Sequence, residues 1–447
     1  MKQSQAEEIL KTGQNVLLTG PAGCGKTFLL NKYIAWLKKK KVKVAVTAST
    51  GIASTHLNGR TIHSWCRIGI ADSMTDSQVK KTISDVRLLQ RVRATDSLII
   101  DEISMLNANR LDLVNRICQA IRQDLRPFGG MQLILCGDFF QLPPVARGEE
   151  DSRFVTESAI WKEMDLSVCY INEQYRQSDQ QFLQVLNDIR NNTASQQTFD
   201  ILQTRLDKEV KAKIQPTKLH THNLDVDIYN NRQLEELPGP QTSFAMVEEG
   251  IPQLVKELKR NCLAHETLNL KVGAVVMFIK NNMAKKYVNG TLGKVVGFDP
   301  ADGYPVIATV SGQTITANPE SWAIEDDDKI IAKISQVPLR LAWAITVHKS
   351  QGMSLDCAEI DLSRTFEYGM GYVALSRVRS LAGIKLSGIN ELAFEVNKQA
   401  VILDSQLRRK STQNLQKFTK AKKTAIKKKQ RDFLKSCQVK NEFPGLN

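Results

Sequence analysis

The 447-residue sequence predicts an α/β fold of more than one domain, and three observations carry that expectation. Residues 20–27 read GPAGCGKT: a glycine, four residues, then Gly-Lys-Thr. An apolar run at 15–19 precedes this loop, and Phe28, Leu29, Leu30, Tyr33, Ile34 and Leu37 follow at helical spacing, so it joins a strand to a helix N-terminus. The chain is also longer than one ordinary core supports, which predicts two or three domains.

The loop has a definite chemistry. Free backbone N–H groups at a helix start point outward, and the helix dipole favours negative charge there, so Gly20, Pro21, Ala22, Gly23, Cys24 and Gly25 form a cradle for phosphates. Lys26 is placed to reach the β- and γ-phosphates, and the Thr27 hydroxyl to ligate Mg²⁺. Just upstream lie Gln3 and Gln5. A glutamine amide offers one donor and one acceptor, enough to read the edge of an adenine, and the sequence leaves open which of the two does so. No NKxD element follows the loop, which argues against a guanine nucleotide.

Composition narrows the partners. The formal charge is +14, but residues 405–447 hold 13 Lys or Arg against Asp432 and Glu442, a net of +11, so the rest is only slightly basic. A nucleic-acid groove in the body is then a local arrangement, whereas the tail reads as a solvated helix or disorder with affinity for polyanions. The eight cysteines are scattered without a CxxC pair, which disfavours a zinc site, an iron–sulfur cluster or a disulfide framework and fits a reducing compartment. No apolar run approaches the roughly twenty residues of a membrane span, and no targeting segment is evident, so a cytoplasmic location is expected.

Along the chain, 42–46 is a second apolar strand, followed by TASTGIAST at 47–55, whose short hydroxyl side chains and free N–H groups suit sugar-phosphate contact. GRTIHSW at 59–65 brings Trp65, a core candidate, beside His63, a phosphate-contact candidate. Residues 71–81 turn polar, as a small excursion would. SLIIDEISM at 97–105 is a buried strand delivering Asp101, for Mg²⁺, and Glu102, to polarise the attacking water. Leu111, Val114, Ile117 and Ile121 mark an amphipathic helix, and the strand at 131–136 leads into GDFFQLPPV. There Gln141 is placed to sense a γ-phosphate, while Phe139 and Phe140 either stack on bases or fill core. Arg176 lies in INEQYRQ. A strand at 217–222 starts a second α/β layer, interrupted at 271–337 by short strands at 275–279, 293–298, 306–310 and 314–317 with NG, DPADG and SG turns, a small antiparallel barrel. WAITVHKSQGMSLD, with His348 and Ser350, then returns to the α/β pattern. It is followed by a strand at 358–362, the helix YVALSRVRS carrying Arg377, and a strand at 384–386.

GPAGCGKT, TASTGIA, TIHSW, DEISM, GDFFQLPPV, EQYR, TVHKSQGMS and YVALSRV stand in the order of superfamily 1B helicases, and across 3–388 the chain most resembles the PIF (petite integration frequency) family. Residues 101–124 are similar to the segment that separates this family from the RecD group. The resemblance implies an ATP- and Mg²⁺-dependent 5′-to-3′ DNA helicase with two RecA-like domains facing each other across ATP. It divides them into domain 1A (1–54 and 84–190), a small wedge 1B (55–83), domain 2A (191–270 and 337–404), an SH3-like β-barrel 2B (271–336) and the basic tail (405–447). It assigns Gln3, or Gln5, to adenine, and Lys26, Thr27, Asp101, Glu102 and Gln141 to nucleotide and metal. Arg176 and Arg377 are assigned to the γ-phosphate, and Thr50, His63, His348 and Ser350 to the DNA backbone; to these the reading of the residues themselves adds Phe139 as a base-stacking candidate. Cys24 departs from the family's usual Thr or Ser, which matters little to a loop that works through its backbone. Expected partners are single-stranded DNA and single-/double-strand junctions, with the chain active as a monomer and open to replication or repair proteins. A RecD-like subunit of a repair complex and a non-unwinding, ATP-gated remodelling factor are the competing readings.

Overall fold

Strands that are apolar without alternation need cover on both faces, and the first unit of this protein supplies it. The structure is a computed structural model that describes all residues except 70, 142–153, 178, 211–213, 221–225, 283, 286, 327–328, 348 and 443–447. The chain divides into two units, the first of them built from 1–139, 143–175 and 402–447. In it, β1 (Val16–Thr19), β2 (Val44–Ala48), β3 (Arg60–Thr61), β4 (Ser97–Asp101), β5 (Gln132–Gly137) and β6 (Ser167–Tyr170) form one sheet in the order β3-β2-β4-β5-β1-β6. Every pairing is parallel.

Alternate residues of each strand feed opposite layers. Val16, Leu18, Ile99, Ile134 and Cys136 meet Ala6, Ile9 and Leu10 of α1 (Gln3–Leu10) and Leu29, Leu30, Tyr33 and Leu37 of α2 (Lys26–Lys39). Leu17, Leu98, Ile100, Leu133 and Leu135 face the other way, against Trp65 and the helix Ala108–Arg122, whose Leu111, Val114, Ile117 and Ile121 are all buried as their spacing predicts. Because the strands are parallel, their C-terminal ends share one sheet edge, and the segments after β1, β2, β4 and β6 emerge together.

The stretch 55–83, expected as a small wedge, is tied to this sheet. Arg60 and Thr61 pair with Thr47 and Ala48, and Ile62, Trp65, Ile68 and Val79 belong to the same buried cluster as Leu98 and Ile100.

The tail corrects one expectation. It folds into two helices, Lys398–Lys420 and Lys423–Glu442, of which the part from Ile402 onward belongs to the first unit. Its apolar residues are few, but they fall in stripes: Leu407 and Cys437 are buried, and Leu415, Phe418, Phe433 and Leu434 pack on the core. The first of these helices also covers the exposed edge of β6. Tyr170 N–H donates to Ser411 Oγ (3.0 Å), the Tyr170 hydroxyl donates to Asp404 Oδ1 (2.8 Å), and the Arg408 guanidinium lies 4.5 Å from the Tyr170 ring centre. Side chains thus satisfy an edge strand that would otherwise offer itself to other chains.

The second unit, 140–142 and 176–401, contains a four-stranded parallel sheet in the order Ala344–Thr346, Thr217–His220, Ala358–Leu362, Ile384–Ile389. Its antiparallel strands Val275–Phe278, Leu292–Phe298, Pro305–Thr309 and Thr314–Thr316 lie within a residue or so of the expected positions and join Leu339–Leu341 in one sheet. Antiparallel pairing extends beyond 271–336: Val247–Gly250 pairs with Lys329–Gln336, and Thr242–Ala245 with Thr267–Leu270. Val247–Gly250 is exposed at every residue, so it carries no apolar alternation for sequence reading to find.

Removing the Ser411 hydroxyl takes away the acceptor that the buried Tyr170 N–H uses at 3.0 Å, so Ser411→Ala should destabilise the first unit by about 1–3 kcal/mol in urea denaturation. An unchanged midpoint would contradict the edge-capping role.

Candidate active site

The first turn of α2 has no side-chain cap. Gly25 occupies its N-cap position at φ +83°, leaving the N–H groups behind it open to an anion. The turn admits only glycine at two points: a side chain at Gly25 would overlap Gln3 Nε2, and one at Gly20 (φ +146°) would lie 2.5 Å from Ile171 O. Lys26 Nζ donates to Gly20 O (2.8 Å) and Pro21 O (3.1 Å). Burial pulls its pKa down, but Cys24, Asp138, Cys136 and Glu102 around it outweigh burial and leave it above the ordinary lysine range. It is a firm cation.

Asp101 ends β4 with its carboxyl buried, accepting from Glu102 N–H at 2.9 Å. Burial raises its pKa, opposed by hydrogen bonding from the Cys136 thiol and Glu102 N–H and by the Lys26 charge. Glu102 adopts φ +51°, a left-handed backbone that costs a non-glycine residue on the order of 1 kcal/mol. A hydroxyl from Thr27 and a carboxylate from Asp101 are hard oxygen donors, and they fit Mg²⁺ shared with phosphate rather than a soft metal.

The structure separates the two glutamines. Gln3 Nε2 donates to Cys24 O at 3.1 Å, and Gln3 N–H donates to Glu173 Oε2 at 2.6 Å. Gln5 Oε1 instead accepts from Lys2 N–H at 2.9 Å and caps α1. Only Gln3 lies against the loop. Sequence reading missed Glu173 and also Tyr175, whose N–H donates to Gly23 O (3.1 Å) and whose ring is 62 % exposed beside Gly25. Their position just past β6, at the same sheet edge as the loop, is the signal that finds them.

Among the DNA candidates, Thr50 caps the helix Gly51–His56, accepting from Ala53 N–H at 3.3 Å. His63 is half-buried. Burial, with a smaller push from Arg110 and against the pull of Asp72, lowers its pKa to about 4, so it is neutral at pH 7. Phe139 is a correction: it is 4 % exposed and packs edge-on against Trp161 at 6.2 Å, with no face left for a base. Ser350 is another, being fully buried with its hydroxyl donating to Val347 O at 2.7 Å. His348 lies outside the described residues.

Within the second unit, Arg176 and Arg377 come to one residue. Arg176 Nη1 donates to Ser376 O (3.0 Å), and Arg377, itself buried, donates to Ser376 Oγ (2.8 Å) and Val373 O (2.9 Å). Gln141 is buried and accepts from Gln351 Nε2 at 3.4 Å.

A parallel sheet with GPAGCGKT after one strand and Asp-Glu after another, the strand β5 between them, defines a P-loop protein built on RecA-like sheets. The chain belongs to the PIF1-like helicase family: that family's model matches residues 3–200, and the model for the DNA helicase Pif1 2B domain matches 253–298. It is 40% identical to the ATP-dependent DNA helicase Pif1 of Psychrobacter sp. (strain PRwf-1), over 97% of this chain and 75% of that protein. Among solved structures it is similar to Bacteroides sp Pif1 in complex with ADP-AlF4 (TM-score 0.79, 30% identity, 92% of this chain and 97% of that one). It is also similar to Bacteroides Pif1 bound to ssDNA (TM-score 0.60, 30% identity, 93% of this chain and 98% of that one).

The His63 environment yields a pH prediction. With a folded-state pKa below the unfolded 6.5, the unfolded chain takes up this proton first, so His63 withdraws stability as pH falls from about 6.5 towards 4. An NMR titration should find the His63 ring neutral down to pH about 5; a midpoint above 6 would contradict the burial argument.

Proposed function

We propose that this protein is an ATP-dependent DNA helicase that moves 5′ to 3′ on single-stranded DNA and separates duplex ahead of it. The observation that carries the reading is the uncapped, glycine-lined turn holding Lys26 at the same sheet edge as Asp101 and Glu102, in a member of the PIF1-like family. Breaking each duplex step costs about 1.4 kcal/mol, which a single binding event offsets once, so repeated opening needs a hydrolytic cycle.

In this reading the loop N–H groups and Lys26 bind the ATP phosphates, and Lys26 leaves Gly20 O and Pro21 O to do so. Gln3 reads the adenine edge and the exposed Tyr175 ring stacks on its face. When bound, Mg²⁺ neutralises charge on the β- and γ-phosphates, and Thr27 and Asp101 are the residues that would hold it. Glu102 orients and polarises the attacking water. Gln141 senses the γ-phosphate, and Arg176 and Arg377 stabilise the charge of the transition state, an effect worth about 10³–10⁵ in rate. Thr50 and the neutral His63 contact the DNA backbone by hydrogen bonds. We assign 55–83 to a wedge and the antiparallel strands of the second unit to an SH3-like 2B module, for which the match of the 2B model at 253–298 is the support. The working unit is a monomer.

The tail has a free face as well as a docked one. Arg409, Lys410, Lys417 and Lys420 are exposed and fall within an arc of about 100° on the first helix, opposite Leu407, Ser411 and Phe418. Lys423, Lys427, Arg431 and Lys435 recur every fourth residue on the second and are exposed too. We assign these faces to the DNA backbone.

Lys26→Ala and Glu102→Gln should each lower DNA-stimulated ATP hydrolysis by at least about 10²-fold while the melting temperature is unchanged; near-normal turnover in either would sink the site. Changing Lys423, Lys427, Arg431 and Lys435 to Gln should flatten the dependence of log affinity for single-stranded DNA on log salt, by about 0.7 for each phosphate no longer neutralised. An unchanged slope would free the tail of that role.

A further inference from the structure

The second tail helix lies on the back of α1, the short helix whose front carries Gln3 to the phosphate loop. Both elements belong to the first unit. Gln430 Nε2 donates to Glu8 Oε2 (3.0 Å) and Glu8 O (3.3 Å). The Phe433 ring sits against Gly13, where α1 has just ended and the chain turns at φ +78°; any side chain there would overlap that ring. Cys437 is 3 % exposed in the cluster that contains Ala6, Ile9, Leu10 and Tyr33, and Tyr33 in turn donates to Leu10 O at 2.9 Å. On the opposite side, Gln3 meets Cys24 O, and a side chain at Gly25 would overlap its amide.

An eight-residue helix does not hold itself in water. α1 is ordered by what it packs on, and one of those supports is a segment more than four hundred residues away in sequence. We propose that the C-terminal helix Lys423–Glu442 is a strut for the nucleotide site: through Phe433 and Gln430 it fixes α1, and through α1 it sets the position of Gln3 at the phosphate loop. These are positioning residues that touch no nucleotide. The inference rests on reading Gln3 as the adenine contact, and it adds that the choice of base depends on the C-terminal helix. The basic outer face of the same helix means that whatever occupies that face is mechanically joined to the nucleotide site.

The test uses the full chain with saturating single-stranded DNA, ATP and GTP. Phe433→Ala should raise KM for ATP about five-fold, the effect of loosening one hydrogen-bonding contact, with kcat and the KM for GTP unchanged. Phe433→Leu should restore most of it. Gln3→Ala should show the same loss of preference, and Gln3→Ala combined with Phe433→Ala should be no worse than Gln3→Ala alone, because both act through one contact. Amide hydrogen exchange across residues 3–10 should quicken in Phe433→Ala. Equal losses for ATP and GTP, additive losses in the double variant, or unchanged exchange would each overturn the strut. A Gln3→Ala protein that keeps its preference for ATP would remove the adenine reading itself. If instead Gln3→Ala loses that preference while Phe433→Ala keeps it, only the strut falls.

Discussion

The first unit is governed by a helix start, that of α2, which among the described residues has no side-chain cap. Gly25 caps α2 without a polar group, and the tight turn from Gly20 leaves room for nothing bulkier at either end. Such a helix start is a liability unless an anion completes it, and the surrounding residues are arranged on that condition. Lys26 remains charged, Asp101 is brought to the end of a buried strand, and Glu102 is held in a left-handed backbone beside it. Parallel pairing makes this possible, since strands distant in sequence then end at one edge without further loops to aim their residues.

The flank of the sheet beside β1 is held by the C-terminal segment. β6 is an edge strand, and its Tyr170 N–H and hydroxyl donate to Ser411 and Asp404 of the helix Lys398–Lys420. α1, too short to stand alone, is closed in by Phe433 and Gln430 from the same segment. A stretch with a formal charge of +11 therefore has two unlike surfaces: a narrow apolar and hydroxyl stripe that seals the unit, and a broad cationic one that remains in solvent. In the second unit a single residue plays a comparable part: the carbonyl and hydroxyl of Ser376 hold Arg176 and Arg377 together.

Local chemistry is legible in the sequence. GPAGCGKT and DEISM announce a turn and a strand end by their own residue types, and the helix at Leu111, Val114, Ile117 and Ile121 announces its buried face by spacing. The strands at 275–316 are legible because turn residues punctuate them. What stays hidden depends on packing between distant segments. Phe139 reads equally as a base platform or core until Trp161 is found against it. Ser350 sits in a motif rich in hydroxyls, yet its own is turned inward to Val347. That Gln3 and not Gln5 lies against the loop follows from packing: Gln3 Nε2 reaches Cys24 O, while Gln5 Oε1 is taken up by the Lys2 N–H. The tail misleads because the number of its apolar residues matters less than their placement: Leu407, Phe433 and Cys437 are few, but each meets the core.

Strand separation with ATP and Mg²⁺ on two duplexes that differ only in carrying a 5′ or a 3′ single-stranded tail would decide between a 5′-to-3′ motor and its alternatives. The 5′-tailed duplex alone should open, and changing Lys26 to Ala should abolish the opening. Unwinding of only the 3′-tailed duplex would contradict the polarity, and DNA-stimulated ATP hydrolysis with neither duplex opened would contradict the helicase itself.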